Sequence, residues 1–137
     1  MPKISVIIPT YNSASLVGEA VDSVLRQTFT DFEVLVVDDG SVDDTSSVIK
    51  NIEESRVKYF YKENGGAASA RNFGLQKSTG QYIAWLDSDD LWPLNYLEVV
   101  ISQLDANHEY EATYTNIVEL YPDGSLNFNL KRNASLF

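Results

Sequence analysis

Cysteine is absent from all 137 residues. That excludes disulfides, thiolate metal sites and cysteine nucleophiles, and it fits a reducing, cytoplasmic compartment. No apolar run approaches the ~20 residues of a membrane-spanning helix. The short run at residues 4–8 is followed at once by Pro9, which is not the pattern of a signal peptide. Basic charge is scarce: 10 Lys and Arg stand against 20 Asp and Glu, a formal net charge of -10, with no local basic stripe. Such a field repels a nucleic-acid backbone, so nucleic acid is excluded as a partner. The single histidine, His108, sits in a polar stretch and reads as a solvated loop residue. Ser-His-Asp, Walker A and GxGxxG arrangements are missing. The Asn133-Ala134-Ser135 sequon lacks a secretory context. With no repeat and no Pro/Gly-rich linker, the length predicts a single domain over residues 1–137.

What is present alternates. Ile4, Val6, Ile7 and Ile8 predict a strand buried on both faces. Leu16, Val17, Ala20, Val21, Val24 and Leu25 then form one helical stripe. Residues 32–37 predict a second buried strand, Val48, Ile49 and Ile52 a second helix, and residues 57–61 a third strand. Residues 67–77 form a small-residue helix entered through Gly65-Gly66, and residues 82–86 a fourth strand. Pro93 suits the first turn of a further helix, with Leu94, Leu97, Ile101 and Leu104 on its buried face. Residues 112–120 and 126–130 predict a hairpin across Pro122-Asp123-Gly124. Strands alternating with helices give an α/β fold with a mostly parallel sheet, and the hairpin is an antiparallel addition near the C-terminus. In such sheets ligands bind outside the carboxyl ends of the strands.

The residues just past those ends are therefore the candidates. Asp87, Asp89 and Asp90 crowd into Asp87-Ser88-Asp89-Asp90. Carboxylates this close repel unless a cation joins them, and Mg²⁺ or Mn²⁺ favours such oxygens. The same turn would also cap the next helix at its positive end. Asp38 and Asp39 stand at the mouth of the second strand, where a carboxylate can accept from a base N–H or a ribose hydroxyl; a plain turn with Gly40 at positive φ explains them equally. Asp43 or Asp44 caps the following helix. Gly65-Gly66 lets backbone approach a ligand, and Arg71 can fork onto a phosphate or pair with an aspartate. Tyr11 can stack on a flat base or merely pack.

Together these stretches resemble the family 2 glycosyltransferases of the GT-A fold, a Rossmann-like sheet flanked by helices. The matching residues are Ser5-Val6-Ile7-Ile8-Pro9-Thr10-Tyr11-Asn12, Ser23-Val24-Leu25-Arg26-Gln27-Thr28, Val36-Val37-Asp38-Asp39-Gly40-Ser41, Gly65-Gly66-Ala67-Ala68-Ser69-Ala70-Arg71-Asn72 and Leu86-Asp87-Ser88-Asp89-Asp90, in order, between residue 4 and about residue 100. The resemblance implies a role for each. Pro9, Thr10 and Tyr11 would line the nucleoside pocket. Asp39 would take the ring N–H of the base, typically uracil. Arg71 would reach the base or phosphate side, and Asp87 and Ser88 would lie along the ribose. Asp89 would bind a divalent metal, Mg²⁺ or Mn²⁺, that bridges the diphosphate. Asp90 would contact metal-side or sugar groups.

The resemblance further implies an inverting transfer from a nucleotide-diphosphate sugar, typically a uridine diphosphate sugar, to a glycan or lipid-linked acceptor, as in polysaccharide biosynthesis. In the family the carboxylate base comes well after the metal motif, so it is expected beyond Phe137, and the 137 residues alone are expected to be inactive. Glu119 and Asp123 are the late carboxylates present. Segments outside this sequence could add membrane association, and core exposed by truncation would allow a homodimer. The rival reading is a nucleotide-sugar binding module without catalysis. A phosphoacceptor regulatory domain would want a lone aspartate and a lysine at a late strand end, and no lysine is expected in that role here.

Overall fold

The computed structural model describes residues 1–115 and 118–127. The elements run β1 (Ile4–Thr10), α1 (Val17–Leu25), β2 (Phe32–Asp38), α2 (Thr45–Lys50), β3 (Val57–Tyr61), α3 (Ala67–Lys77), β4 (Tyr82–Trp85), α4 (Tyr96–Ala106), β5 (Glu119–Leu120) and β6 (Leu126–Asn127). Four strands form one parallel sheet in the order β3-β2-β1-β4, and β5 and β6 form a separate antiparallel pair. The chain divides into two compact units, Met1–Val99 and Val100–Phe137, and the parallel sheet belongs to the first.

The expected α/β architecture with an antiparallel addition is what the chain adopts. β1 and β2 are buried along their whole length, as their β-branched runs require. Successive residues face opposite sides of a sheet. Ile7, Leu35 and Val37 share one side and pack with Ala70 of α3, joined by Phe60, Phe73 and Ile83. Val6, Ile8, Val34 and Val36 take the other side and are also fully buried. Each such Val or Ile contributes ~1.5–3 kcal/mol. Gly74 allows the close approach of α3, since a Cβ there would run into the side chains of Ile7 and Val37.

At the amino end of the sheet the strands are tied by a buried carboxylate. Glu33 on β2 pairs in register with Ser5 on β1. It accepts from Ser5 Oγ (2.6 Å), from the Thr79 N–H and hydroxyl (both 2.8 Å) and from Lys58 Nζ (2.7 Å). Burial pushes this carboxyl up, but the Lys58, Ser5 and Thr79 hydrogen bonds together outweigh it and hold it at about 2.

Several expectations need correction. Pro93 lies outside α4, whose first residue is Tyr96; its carbonyl instead accepts from the Tyr96 N–H. Leu94 is correspondingly exposed, while Leu97, Ile101 and Leu104 are buried as expected. Ile52 falls past the end of α2. Residues 112–115 form no strand, and among the described residues of that stretch Glu119–Leu120 pairs with Leu126–Asn127 across a turn that places Gly124 at φ 82°. Residues 116–117 and 128–130 of the expected hairpin, and the sequon at 133–135, lie outside the described residues.

Candidate functional site

Parallel strands point their carboxyl ends the same way, so the loops after β1, β2, β3 and β4 meet on one rim. There Pro9, Thr10 and Tyr11 at the end of β1, Asp39 after β2, and Asp87, Ser88 and Asp89 after β4 surround a cleft of about 350 Å³, closed by Arg71 and its neighbours on α3. These eight of the residues singled out in the sequence line the hollow, whereas Asp38, Gly65 and Asp90 do not. A second hollow of about 480 Å³ lies within residues 100–137; Gln103, Asn107, Tyr110, Ala112, Thr113 and Tyr114 line it, without a carboxylate or a cation. The charged chemistry is therefore in the first.

The adjacent aspartates have separate tasks. Asp38 is fully buried and accepts from the Ser41 N–H (2.8 Å) and the Tyr59 hydroxyl (2.6 Å). Burial and the Asp38 hydrogen bond push that phenol up to about 12, so it remains a donor. Asp39 turns to the cleft wall. Its Oδ1 accepts from Lys62 Nζ (2.5 Å) and its Oδ2 from the Gly66 N–H (2.7 Å), with the Gly65 N–H shared between the two oxygens. Burial pushes the carboxyl up, but Lys62 and the two amides outweigh it and keep it below the ordinary range. The glycine pair thus directs its N–H groups at Asp39; its expected use was approach to a ligand. Gly40, at φ 86°, permits the fold-over, for a Cβ there would meet the Asn64 nitrogen at 2.8 Å.

Lys62 was missed in the sequence, and Asn64 counted only as one of the polar residues after the third strand. Lys62 stands one residue past β3, so a lysine does follow a strand end, and it pairs with Asp39. Asn64 lines the cleft and donates Nδ2 to the Asp39 carbonyl (3.0 Å). The available signal was position: both follow a strand on the rim that collects the other candidates.

Thr10 is 3% exposed, and among the described residues its Oγ1 has no hydrogen-bond partner. An orphaned buried hydroxyl costs ~1–3 kcal/mol, and its place on the cleft wall points to a ligand that completes it. Thr10→Val is expected to raise the urea midpoint of the unliganded chain, by about 1 kcal/mol in stability, while weakening nucleotide binding. Urea titration with and without nucleotide checks both signs. Tyr11, half exposed beside it, offers a ring face.

At the other end Arg71 donates to Asp87 Oδ1 at 2.5 Å, so the aspartate pairing held open in the sequence is realised inside the cleft. Asp89 is exposed on the cleft wall and takes no hydrogen bond or ion pair among the described residues. Asp90 does not line the cleft; burial, then the charges of Asp89 and Asp87, push its carboxyl up. Among the described residues no three His, Cys, Asp or Glu side chains converge on one point. An uncommitted carboxylate beside a like-charged neighbour fits a hard divalent ion whose remaining positions are filled by water or phosphate. Asp43 has the structural task expected of it, accepting from Thr45 and from the Ala14 N–H.

A parallel sheet flanked by helices, with its polar and acidic loops on one rim, defines an α/β protein whose site lies at the strand ends. The chain belongs to glycosyl transferase family 2, whose profile matches residues 5–131. It is 49% identical over 77% of its length to an uncharacterized glycosyltransferase of Rickettsia bellii, covering 16% of that protein. It is 42% identical over 77% of its length to the Escherichia coli UDP-Glc:alpha-D-GlcNAc-diphosphoundecaprenol beta-1,3-glucosyltransferase WfgD, covering 42% of it. Among solved structures, S. aureus TarS 1-349 in complex with UDP-GlcNAc matches at TM-score 0.73 and 34% identity, over 77% of this chain and 32% of that one. The mannosyltransferase PcManGT of Pyrobaculum calidifontis, in complex with GDP-Man and Mn2+, matches at TM-score 0.70 and 33% identity, over 75% and 32%. The chain thus spans well under half the length of these relatives. Their names and complexes agree with the GT-A resemblance and with a nucleotide-sugar donor.

Proposed function

We propose that this chain forms the donor half of an inverting, metal-dependent glycosyltransferase that takes its sugar from a uridine diphosphate donor. The observation that carries the reading is the Asp39 carboxylate, acceptor-only on the cleft wall, beside the aromatic Tyr11 and the orphaned Thr10 hydroxyl. A carboxylate held ionised accepts from a ring N–H and repels a ring nitrogen lone pair. Uracil N3–H satisfies it, as would guanine N1–H; adenine and cytosine present a lone pair there. UDP-Glc in the name of one relative and UDP-GlcNAc in the complex of another favour uracil.

Tyr11 would stack on the base, and Pro9 and Thr10 would close the nucleoside pocket. Asp87 and Ser88 would lie along the ribose, and Arg71 on the base or phosphate side. Asp89 would hold a Mg²⁺ or Mn²⁺ ion against the diphosphate, and Mn2+ accompanies GDP-Man in one structural neighbour. When bound, that ion stabilises negative charge on the departing diphosphate. None of the carboxylates lining the cleft is assigned as the base, and this stretch on its own is expected not to transfer sugar. The acceptor would be a glycan or lipid-linked, a reading supported by the diphosphoundecaprenol in one relative's name.

Calorimetry with uridine and adenosine diphosphates tests the reading. Uridine diphosphate should bind at least tenfold more tightly, and Asp39→Ala should remove the preference. Equal affinities, or a preference that survives Asp39→Ala, would sink the assignment.

A further inference from the structure

We propose that Lys62 is the positioning residue of the base site: its ammonium fixes the orientation and acceptor character of Asp39 and thereby sets which bases the cleft accepts. The inference rests on the reading of Asp39 as the group that meets the base.

The geometry separates Lys62 from the surface lysines of this chain. Its side chain is 16% exposed against 48% for Lys58, which pairs with Glu33 at the far end of the sheet. Lys62 Nζ donates to Asp39 Oδ1 and to the Glu63 carbonyl, both at 2.5 Å, so two of its three donors are directed within the protein. It does not line the cleft and acts only through Asp39. The ammonium approaches Asp39 from behind, together with the Gly65 and Gly66 amides. Three donors thus occupy three of the roughly four acceptor positions of a carboxylate, which leaves about one for a ligand. A carboxylate fixed in this way cannot rotate, and it cannot readily take a proton and become a donor. Only a base with a ring N–H then fits.

The charged groups around Asp39 come from every side. Lys62 is on the loop after β3. Asp38, on its own strand, is committed to Tyr59 and Ser41. Across the cleft Arg71 from α3 is paired with Asp87, and Asp89 follows β4. All of these remain when Lys62 is replaced, so they cancel in a comparison of the two chains. Burial pushes the Asp39 carboxyl up, and without the lysine only the Gly65 and Gly66 amides oppose it, so its protonation moves to higher pH than in the wild type. A protonated Asp39 can donate to the ring nitrogen of cytosine or adenine and loses its preference for uracil.

The test measures affinity for uridine, cytidine and adenosine diphosphate sugars from about pH 7.5 to about pH 5, with Mg²⁺ present. The diester phosphates of these donors do not titrate in that window. Wild-type affinity for the uridine donor should stay level. In Lys62→Met it should fall about tenfold towards the acid end, the loss expected of a charge-assisted hydrogen bond. The uridine preference over cytidine should shrink in parallel, and Lys62→Arg should restore both. A merely structural lysine would leave the pH profile and the base preference where they are. If Lys62→Met gives no cooperative melt, Lys62→Gln is judged by the same two readouts. A variant that parallels wild type at every pH, with its preference intact, overturns the role of Lys62 and leaves the base site standing. An Asp39→Asn chain that retains the uridine preference overturns the base site, and Lys62 with it.

Discussion

Asp89→Asn is expected to abolish most of the divalent-ion dependence of nucleoside diphosphate binding while leaving the fold intact. The cleft wall already carries Asp87 and Asp89, and Arg71 is paired with Asp87. A diphosphate brings further negative charge to this place. Two unit charges ~4 Å apart repel by about 4 kcal/mol at an effective dielectric of 20. Because Asp87 is 51% exposed, solvent and salt reduce that to ~1–2 kcal/mol, or roughly five- to thirtyfold in affinity. Chelator should therefore weaken uridine diphosphate binding by about that factor and leave uridine, which has no phosphate, nearly unchanged. Asp89→Asn should show little further response to chelator. The side chain is exposed and without internal partners among the described residues, so the melting temperature should hold. Diphosphate affinity indifferent to chelator would leave the acidic turn a structural loop and nothing more, since α4 begins only at Tyr96.

The second large effect lies at the opposite end of the sheet. Glu33→Gln should destabilise the chain by about 2–3 kcal/mol at neutral pH, with the difference vanishing in acid. The carboxyl sits at about 2 in the folded chain against an ordinary 4.5. A depressed value means that the folded state favours the ionised form. Its contribution is complete above about 4.5 and is lost as pH falls through about 2. The shift corresponds to about 3 kcal/mol as an upper figure, reduced because Lys58 is half exposed. Urea unfolding of both chains at pH 7 and at several acidic points measures it. A gap that stays constant with pH would assign the loss to packing.

The two predictions also show what could be read in the sequence. β1 and β2 were legible because fully buried parallel strands are written as β-branched, mostly apolar runs. The start of α4 was not, because Pro93 is as well suited to a turn before a helix as to its first turn. Of the eight cleft residues, all but Arg71 were legible because they sit at or just past strand ends, where topology brings loops together. Lys62 and Glu33 were not. Each forms its bonds with residues far along the chain, Lys62 with Asp39 and Glu33 with Ser5 and Thr79, and no local pattern marks them. The division between Asp38 and Asp39 was marked by the family resemblance and not by local pattern, since Tyr59 holds the one and Gly66 the other from far along the chain.

The strand order also sets a timetable for synthesis. β1, β2 and β3 are neighbours in both space and sequence, so they can pair as soon as each emerges. With them comes the Asp39 end of the cleft, once the chain has passed Gly66 and the carboxylate has found its partners. β4 must return past all of this to lie against β1, where Ile4 meets Tyr82. Only then do Asp87 and Asp89 arrive. A nascent chain halted between the two stages would hold a cleft with one wall missing. Contacts so distant in sequence are slow to close, so the ribosome delivers Asp39 and its partners first and the acidic turn of Asp87 and Asp89 last.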